Sequence, residues 1–260
     1  MEPAPRDQLF PAIAPETVAM PLYQAVKRSL LHAIETGRCA PGKTLPSEGE
    51  IATAMGVSIG TLRRAVDELV AEQILVRRQG LGTFVASHGP DRSLSQFFRI
   101  ERADGLREAP HVDLLSFERS RLPEEPAKAL HLRTGETVFQ VENRLSLQGS
   151  PVIYDKLFLP STLFKGLTEK RWRERSGTLY QFYQSEFGIT VVRAGERARA
   201  VSADQQAARV LDLSVGQPVM QVRRTALGFG DRPVEHRISI INTAGHDYVN
   251  LLSRPAAKNA

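Results

Sequence analysis

Apolar residues recur every four positions at Leu22, Val26, Leu30 and Ile34, the spacing of one helix face. They predict a helix from Leu22 to about Thr36. Pro21 suits the first helical turn, Gly37 is a natural stop, and Ala40-Pro41-Gly42 then turns the chain. Ser47-Glu48-Gly49-Glu50 has the form of a capping box, in which the serine oxygen accepts an exposed amide and the second glutamate reaches back. The helix it opens has Ile51, Ala54 and Met55 as its buried face and ends at Gly56. Gly56-Val57-Ser58 separates it from a third helix, Ile59–Ala71, with Ser58 as N-cap. Leu62, Ala65, Val66, Leu69 and Val70 share one side of that helix; Gly60, Thr61, Arg63, Arg64 and Asp67 lie on the other. Ile74-Leu75-Val76 and Thr83-Phe84-Val85 read as two short strands around Arg77-Arg78-Gln79-Gly80-Leu81-Gly82. Pro41 to Val85 therefore has the layout of a winged helix-turn-helix.

That layout gives the polar residues a chemistry. A helix that packs inward and shows small, hydroxyl and arginine residues near its N-terminus suits a major groove, where arginine can contact guanine with two hydrogen bonds. The first amides of such a helix can hold a phosphate. Two glycines at the hairpin tip allow the backbone close approach to a phosphate or a minor groove. The candidate DNA contacts are Ser47, Ser58, Gly60, Thr61, Arg63 and Arg64 on the helices, and Arg78, Gln79, Gly80, Gly82 and Thr83 on the wing. The alternative is that Arg63 and Arg64 pair with Asp67 and Glu68 along their own helix, which is worth only a few tenths of a kcal/mol.

After a polar stretch at 87–94 the pattern changes to strands mixed with short helices. Leu130, Leu132, Gly135, Val138, Gln140, Val141 and Gly149 recur 81 residues later as Leu211, Leu213, Gly216, Val219, Gln221, Val222 and Gly230. After one inserted residue, Pro151-Val152 recurs as Pro233-Val234. Each copy reads as a strand, a short helix (near 123–131 and 203–211) and a hairpin (136–147 with 151–159; 217–227 with 233–241). Two hairpins joined in one antiparallel sheet, covered by helices, is the natural outcome, and a helix at 177–187 would cover a side of it. A cleft between the halves is a reasonable ligand site. Arg144 and Asp155 in the first copy, with Glu235 and Arg237 in the second, are the polar residues expected to face it; Tyr154, His236, His246 and Tyr248 could add hydrogen bonds or stacking. The competing reading is that these are cross-strand surface pairs, such as Arg144 with Asp155.

Composition sets limits. The 260 residues carry a net charge of +5, which permits nucleic-acid binding without demanding it. Cys39 is the only cysteine, excluding an intramolecular disulfide and a cysteine-only metal cluster. No apolar run approaches the ~18 residues of a membrane span, and the proline-bearing start of the chain does not read as a signal peptide. A cytoplasmic protein with no membrane partner is expected. No GxSxG, HExxH or GxxxxGK[ST] motif is present, so neither catalysis nor a cofactor or metal is expected.

Residues 21–86 resemble the N-terminal domain of the GntR family of bacterial transcription regulators, through PLYQAVKRSLLHAIETG (21–37), PGKTLPSEGEIA (41–52), GVSIGTLRRAVDELV (56–70) and RRQGLGTFV (77–85). Two positions depart from the family pattern: Gly49 and Ile59 stand where relatives commonly carry arginine. The second domain resembles the UTRA effector-sensing domain of the HutC branch, through VENRLSLQGSPVIYDKLFLP (141–160), LYQFYQSEFGI (179–189), LDLSVGQPVMQVRRTA (211–226) and RPVEHRISI (232–240). The resemblance implies an α+β fold: a winged helix-turn-helix followed by a chorismate lyase-like antiparallel sheet with covering helices. It also implies effector contacts from Arg144, Asp155, Glu235 and Tyr248. Ser146 and His246 replace a second arginine and an aspartate of relatives, which argues against a phosphorylated effector unless Arg99, Arg223 or Arg224 compensates. The expected organisation is a flexible arm (1–20), a DNA-binding domain (21–86), a linker (87–94), an effector-binding and dimerisation domain (95–253) and a tail (254–260). The expected partners are a roughly palindromic double-stranded operator, a small-molecule metabolite and a second copy of the chain, with repression as the mode. Activation, or regulation without an effector, is the alternative.

Overall fold

A computed structural model of the chain describes residues 10–13, 20–87, 98–106 and 108–250. The expected tail and, apart from Ser87, the expected linker lie outside these residues. Two compact units are present. One is drawn from Met1–His88 with Tyr183–Arg193 and Gly228–Arg232, the other from Gly89–Phe182, Ala194–Leu227 and Pro233–Ala260.

In the first unit α1 (Leu22–Glu35), α2 (Glu48–Met55) and α3 (Ile59–Ala71) enclose one core. Val26 and Leu30 of α1, Ile51 and Met55 of α2, and Leu62, Ala65 and Leu69 of α3 are all buried in it. The capping box forms: the Ser47 side chain accepts from the Glu50 amide while Glu50 accepts from the Ser47 amide at 2.9 Å. Gly56 ends α2 with a left-handed φ of 67°, a conformation that costs glycine nothing. Ser58 caps α3 by accepting from the Thr61 amide at 3.1 Å.

The wing is β1 (Leu75–Arg78) against β2 (Gly82–Val85). Its inner edge is extended by 43–45, where Val85 N–H donates to Lys43 and Leu45 N–H to Thr83. One expectation needs correction. Within the arm read as flexible over 1–20, Phe10 is 2% exposed in the helical core, and Ile13 N–H donates to Met55 at 2.9 Å. A large aromatic that can fill a helical core stabilises an ordered attachment through buried area, whatever the prolines around it.

The second unit is a six-stranded antiparallel sheet ordered β4-β5-β6-β9-β8-β7. The strands are β4 (His111–Arg121), β5 (Thr137–Leu147), β6 (Ser150–Pro160), β7 (Arg193–Ser202), β8 (Pro218–Leu227) and β9 (Pro233–Ile241). The order is symmetric about the β6–β9 seam, as the 81-residue repeat requires. The first copy runs β4, α4 (Glu124–Leu130), β5, β6; the second runs β7, α7 (Gln205–Leu211), β8, β9. Equivalent positions share backbone geometry: α4 and α7 end on left-handed caps at His131 and Asp212, followed by Gly135 and Gly216 at φ of 83° and 86°. His131, read from sequence as helical, is thus the cap.

The two helices cover the same sheet face. Leu130 of α4 packs in a cluster with Val138 and Phe158, and Leu211 of α7 in one with Tyr154 and Val219. On the opposite face Leu145, Ile153, Val222 and Ile241 pack with Ile100. Ile100 belongs to β3 (Ile100–Arg102), which pairs with β10 (His246–Tyr248). Two further α-helices among the described residues are α5 (Glu169–Arg173) and α6 (Leu179–Phe187).

Candidate functional site

On the first unit, α3 presents Gly60, Arg63 and Asp67 to solvent, and Arg63 is held by Glu48 of α2 at 2.6 Å. Arg77 of β1 donates to Asp67 at 2.5 Å and to Glu48 at 3.3 Å. The two acids thus tie α2, α3 and the wing into one surface. The alternative pairing along α3 is not what forms, because Asp67 takes Arg77 and Glu68 takes Lys27 at 2.9 Å. Arg64 lies over the Tyr23 ring of α1, 3.8 Å from its centroid, so its guanidinium is turned to the α1 flank. Thr61 shares its hydroxyl with Ser58 at 2.9 Å.

At the wing, Arg78 sits over Phe84 at 4.7 Å and Leu81 N–H closes the turn on Arg78 at 3.0 Å. Gln79, Gly80 and Gly82 are exposed at the tip and Thr83 is half-buried below it. The glycines at 80 and 82 hold φ of 72° and 106°. Ser47 serves as the α2 cap. Glu48 and Arg77 are the members of this surface that local spacing does not reveal, since their partners lie on other elements.

The second unit carries a cavity of about 90 Å³ on the sheet face away from α4 and α7. It lies over the β6–β9 seam, and its polar lining comes from Arg99, Asp155, Tyr180, Arg224, Arg237 and Tyr248. Asp155 is 2% exposed; it accepts from Ser239 Oγ at 2.5 Å and from Arg237 at 3.4 Å. Asp155 and Arg237 occupy equivalent positions in the two repeats, so the pseudosymmetry brings them together. Arg237 also donates to Glu235, which is fully buried, at 2.9 Å, and the Tyr180 hydroxyl reaches Glu235 at 3.5 Å.

A second group centres on Glu196 of β7, which pairs with Arg224, with Arg99 at 3.1 Å and with the Tyr248 hydroxyl. A neighbouring recess of about 220 Å³, mainly apolar, shares Phe98, Leu145, Asp155, Leu179 and Arg237 with the first. Asn143 lines this recess, and its buried Oδ1 has no hydrogen-bond partner among the described residues.

The charges perturb one another. Burial pushes the Asp155 carboxyl up, against the pull of Arg237 and Ser239. Burial, with Glu235 beside it, raises Tyr180 to about 12. Burial would raise Glu196 too, but the Arg224 charge and the Tyr248 and Arg224 hydrogen bonds bring it below the usual carboxylate range. Burial and the bond to Glu196 push the Tyr248 phenol up. Three guanidinium groups and the Asp155 carboxyl thus line a small, partly enclosed space, with Glu235 and Glu196 paired to those guanidiniums outside the lining.

Of the residues read from sequence as effector contacts, Asp155 and Tyr248 line the cavity and Glu235 stands directly behind Arg237. The others lie elsewhere. Tyr154 points to the helix-covered face, where its hydroxyl donates to Glu142 at 2.6 Å. Arg144 is opposite Tyr154 on that same face and pairs with Asp113 at 3.1 Å, so it cannot form the cross-strand pair with Asp155. His236 also faces that side, 3.1 Å from Thr225, and His246 sits across from Arg102 on the β10–β3 pair.

The physical reason is a β-bulge. The tight turn closes with Leu147 opposite Ser150, but the register then shifts between Leu145 and Ser146, and a one-residue shift exchanges the faces. Tyr180, Glu196, Ser239 and Asn143 are additional site residues. Ser239 is signalled by its period-two spacing from Glu235 and Arg237 on one strand; Glu196 has no comparable mark.

A winged helix-turn-helix joined to a sheet with a charged ligand cavity defines a DNA-binding regulator that senses an effector. The bacterial regulatory protein gntR family matches residues 22–85 and the UTRA domain matches residues 106–246. The chain belongs to the GntR family, as a member with a UTRA domain, and is a transcription regulator rather than an enzyme.

Over 217 residues it is 29% identical to the probable fructoselysine utilization operon transcriptional repressor of Escherichia coli (strain K12), covering 82% of this chain and 87% of that one. It is 29% identical over 221 residues to the histidine utilization repressor of Pseudomonas putida, covering 82% and 85%. The ligand-binding domain of a protein from Bordetella bronchiseptica, assigned to the GntR-family regulators, superposes with a TM-score of 0.56 at 37% identity. That match covers 60% of this chain and 96% of that domain.

Proposed function

We propose that the protein is a cytoplasmic, homodimeric repressor that binds a palindromic operator and is released from it by a small metabolite in the β6–β9 cavity. DNA is read by α3 and the wing. Arg63 contacts a base edge; Ser58, Gly60 and Thr61 approach the groove at the start of α3; Arg78, Gln79, Gly80, Gly82 and Thr83 engage the backbone or minor groove. Ser47 and Arg64 act from the rim, as a helix cap and through the α1 flank. A second copy supplies the other half-site about one helical turn or more away. The repressor names of both curated relatives support this mode of regulation.

The observation that carries the effector assignment is the meeting of Asp155 with Arg237 and of Glu196 with Arg224 and Arg99, on strands from both repeats, around one cavity. Such a set fits a metabolite with a carboxylate or similar anion at one end and amino or hydroxyl donors at the other. Its less polar part lies in the adjoining recess beside Asn143. Tyr248 belongs to β10, which pairs with β3, and Arg99 directly precedes β3, the first described strand after the linker, so a ligand that rearranges the Glu196 cluster acts on the segment that follows the linker.

The test is a thermal-shift screen of the full chain against amino acids, organic acids and sugar acids, followed by operator binding. At least one compound is expected both to raise the melting temperature and to weaken DNA binding, with both effects reduced in Arg224→Gln. A stabilising compound that acts equally on Arg224→Gln, or none across the panels, contradicts the assignment.

A further inference from the structure

Large apolar side chains are normally withdrawn from a DNA-reading surface, since a phosphate-rich partner rewards charge and hydrogen-bond donors. On the recognition helix Ile59 is the exception, as Leu81 is at the wing tip. It is the first residue of α3, is 47% exposed, and has the exposed Ser58 and Gly60 on either side. At four residues' spacing it lies one helical turn before Arg63 on the same flank. The result is an apolar knob at the N-terminal end of the recognition helix, beside an arginine that Glu48 already holds in place.

The one apolar group that the major groove displays is the C5-methyl of thymine. We propose that Ile59 is a specificity-determining residue that reads a thymine methyl, one or two base steps from the base contacted by Arg63. This rests on the reading of α3 as the recognition helix. Ser58 and Thr61 are bonded to each other through their hydroxyls and do not compete for that methyl. The small Gly60 lets the helix end approach closely enough for van der Waals contact. Burying one methyl against a half-exposed side chain is worth roughly 0.8 kcal/mol, which is about a fourfold change in affinity.

The test uses the full-length protein and DNA selected by it from a random pool. Each thymine of the selected site is replaced in turn by deoxyuridine, which differs only in lacking the methyl. At one thymine per half-site, wild-type affinity is expected to fall about fourfold. Ile59→Ala should bind thymine and uracil duplexes there equally, with an unchanged salt slope and an unchanged melting temperature. Arg63→Ala should keep the methyl sensitivity while losing discrimination at its own base.

A site with no methyl-sensitive thymine, or methyl sensitivity that persists in Ile59→Ala, overturns the inference and leaves the recognition-helix reading intact. Failure of both Arg63→Ala and Ile59→Ala to alter discrimination anywhere overturns that reading as well.

Discussion

Arg63 and Arg78 differ in what holds them, and so in what their loss should do. The Arg63–Glu48 pair is solvent-exposed, contributes little to stability and can exchange Glu48 for a base edge. Arg63→Ala is expected to leave the melting temperature nearly unchanged, to weaken operator binding by about 1–3 kcal/mol and to relax preference at one position. Arg78→Ala should weaken binding alike on all sequences and reduce the slope of affinity against salt; competition titrations over a salt series separate the two.

Arg237 is the opposite case, because it is the cation beside two buried acids, Asp155 and Glu235. Arg237→Ala should destabilise the second unit by about 3–5 kcal/mol, the cost of breaking a buried ion pair from one side, measurable by chemical denaturation.

His236 gives a pH signature. Burial lowers its pKa, against the opposing pull of Glu125 and Glu235, so the unfolded chain binds more protons below the ordinary histidine value of 6.5 and stability falls as pH drops from there toward the folded pKa. His246, also lowered by burial and by Arg102, adds to the same slope. Asp155, whose folded pKa is raised, contributes in the reverse sense: its share is full below the unfolded pKa of 3.8 and is lost as pH rises through the folded value. His236→Gln should flatten stability against pH just below 6.5, leaving the part owed to His246.

At the scale of elements, the helices and wing were the most legible features. Capping residues, glycine stops and the four-residue apolar spacing all act within a few positions of themselves. Ser47→Ala removes the side-chain half of the α2 capping box, leaving the Glu50 carboxylate on the backbone amide of residue 47, and should cost about 1 kcal/mol of stability, seen as a lower denaturation midpoint with an unchanged slope. The repeat was equally legible, since each copy must bury the same apolar face, and the sheet order β4-β5-β6-β9-β8-β7 follows from it.

Which side chains share a face was not legible. Period two assigns faces within a strand, but the relation between Arg144 and Asp155 depends on the bulge near Val152, which no residue type there announces. The cavity is therefore recognisable as a seam between repeats, whereas Tyr180, which lines it, and Glu196, which pairs with the lining Arg224, have partners remote in sequence. Phe10 is not legible for a related reason: an isolated aromatic has no periodicity to reveal what it packs against.

At the scale of the whole molecule, the proposed function is a coupling between two sites on two units. Because coupling is a property of equilibrium free energies, it must be reciprocal: the factor by which effector weakens operator binding equals the factor by which operator weakens effector binding. Couplings of this kind are typically about 1–3 kcal/mol, or roughly 5- to 150-fold. The most direct measurement is a pair of titrations on the full chain with a compound that raises its melting temperature. Operator affinity is measured with and without saturating compound, and compound affinity with and without saturating operator. The proposal predicts two equal factors, both abolished together by Arg224→Gln. Unequal factors, or operator affinity unmoved by a compound that binds the cavity, would contradict it.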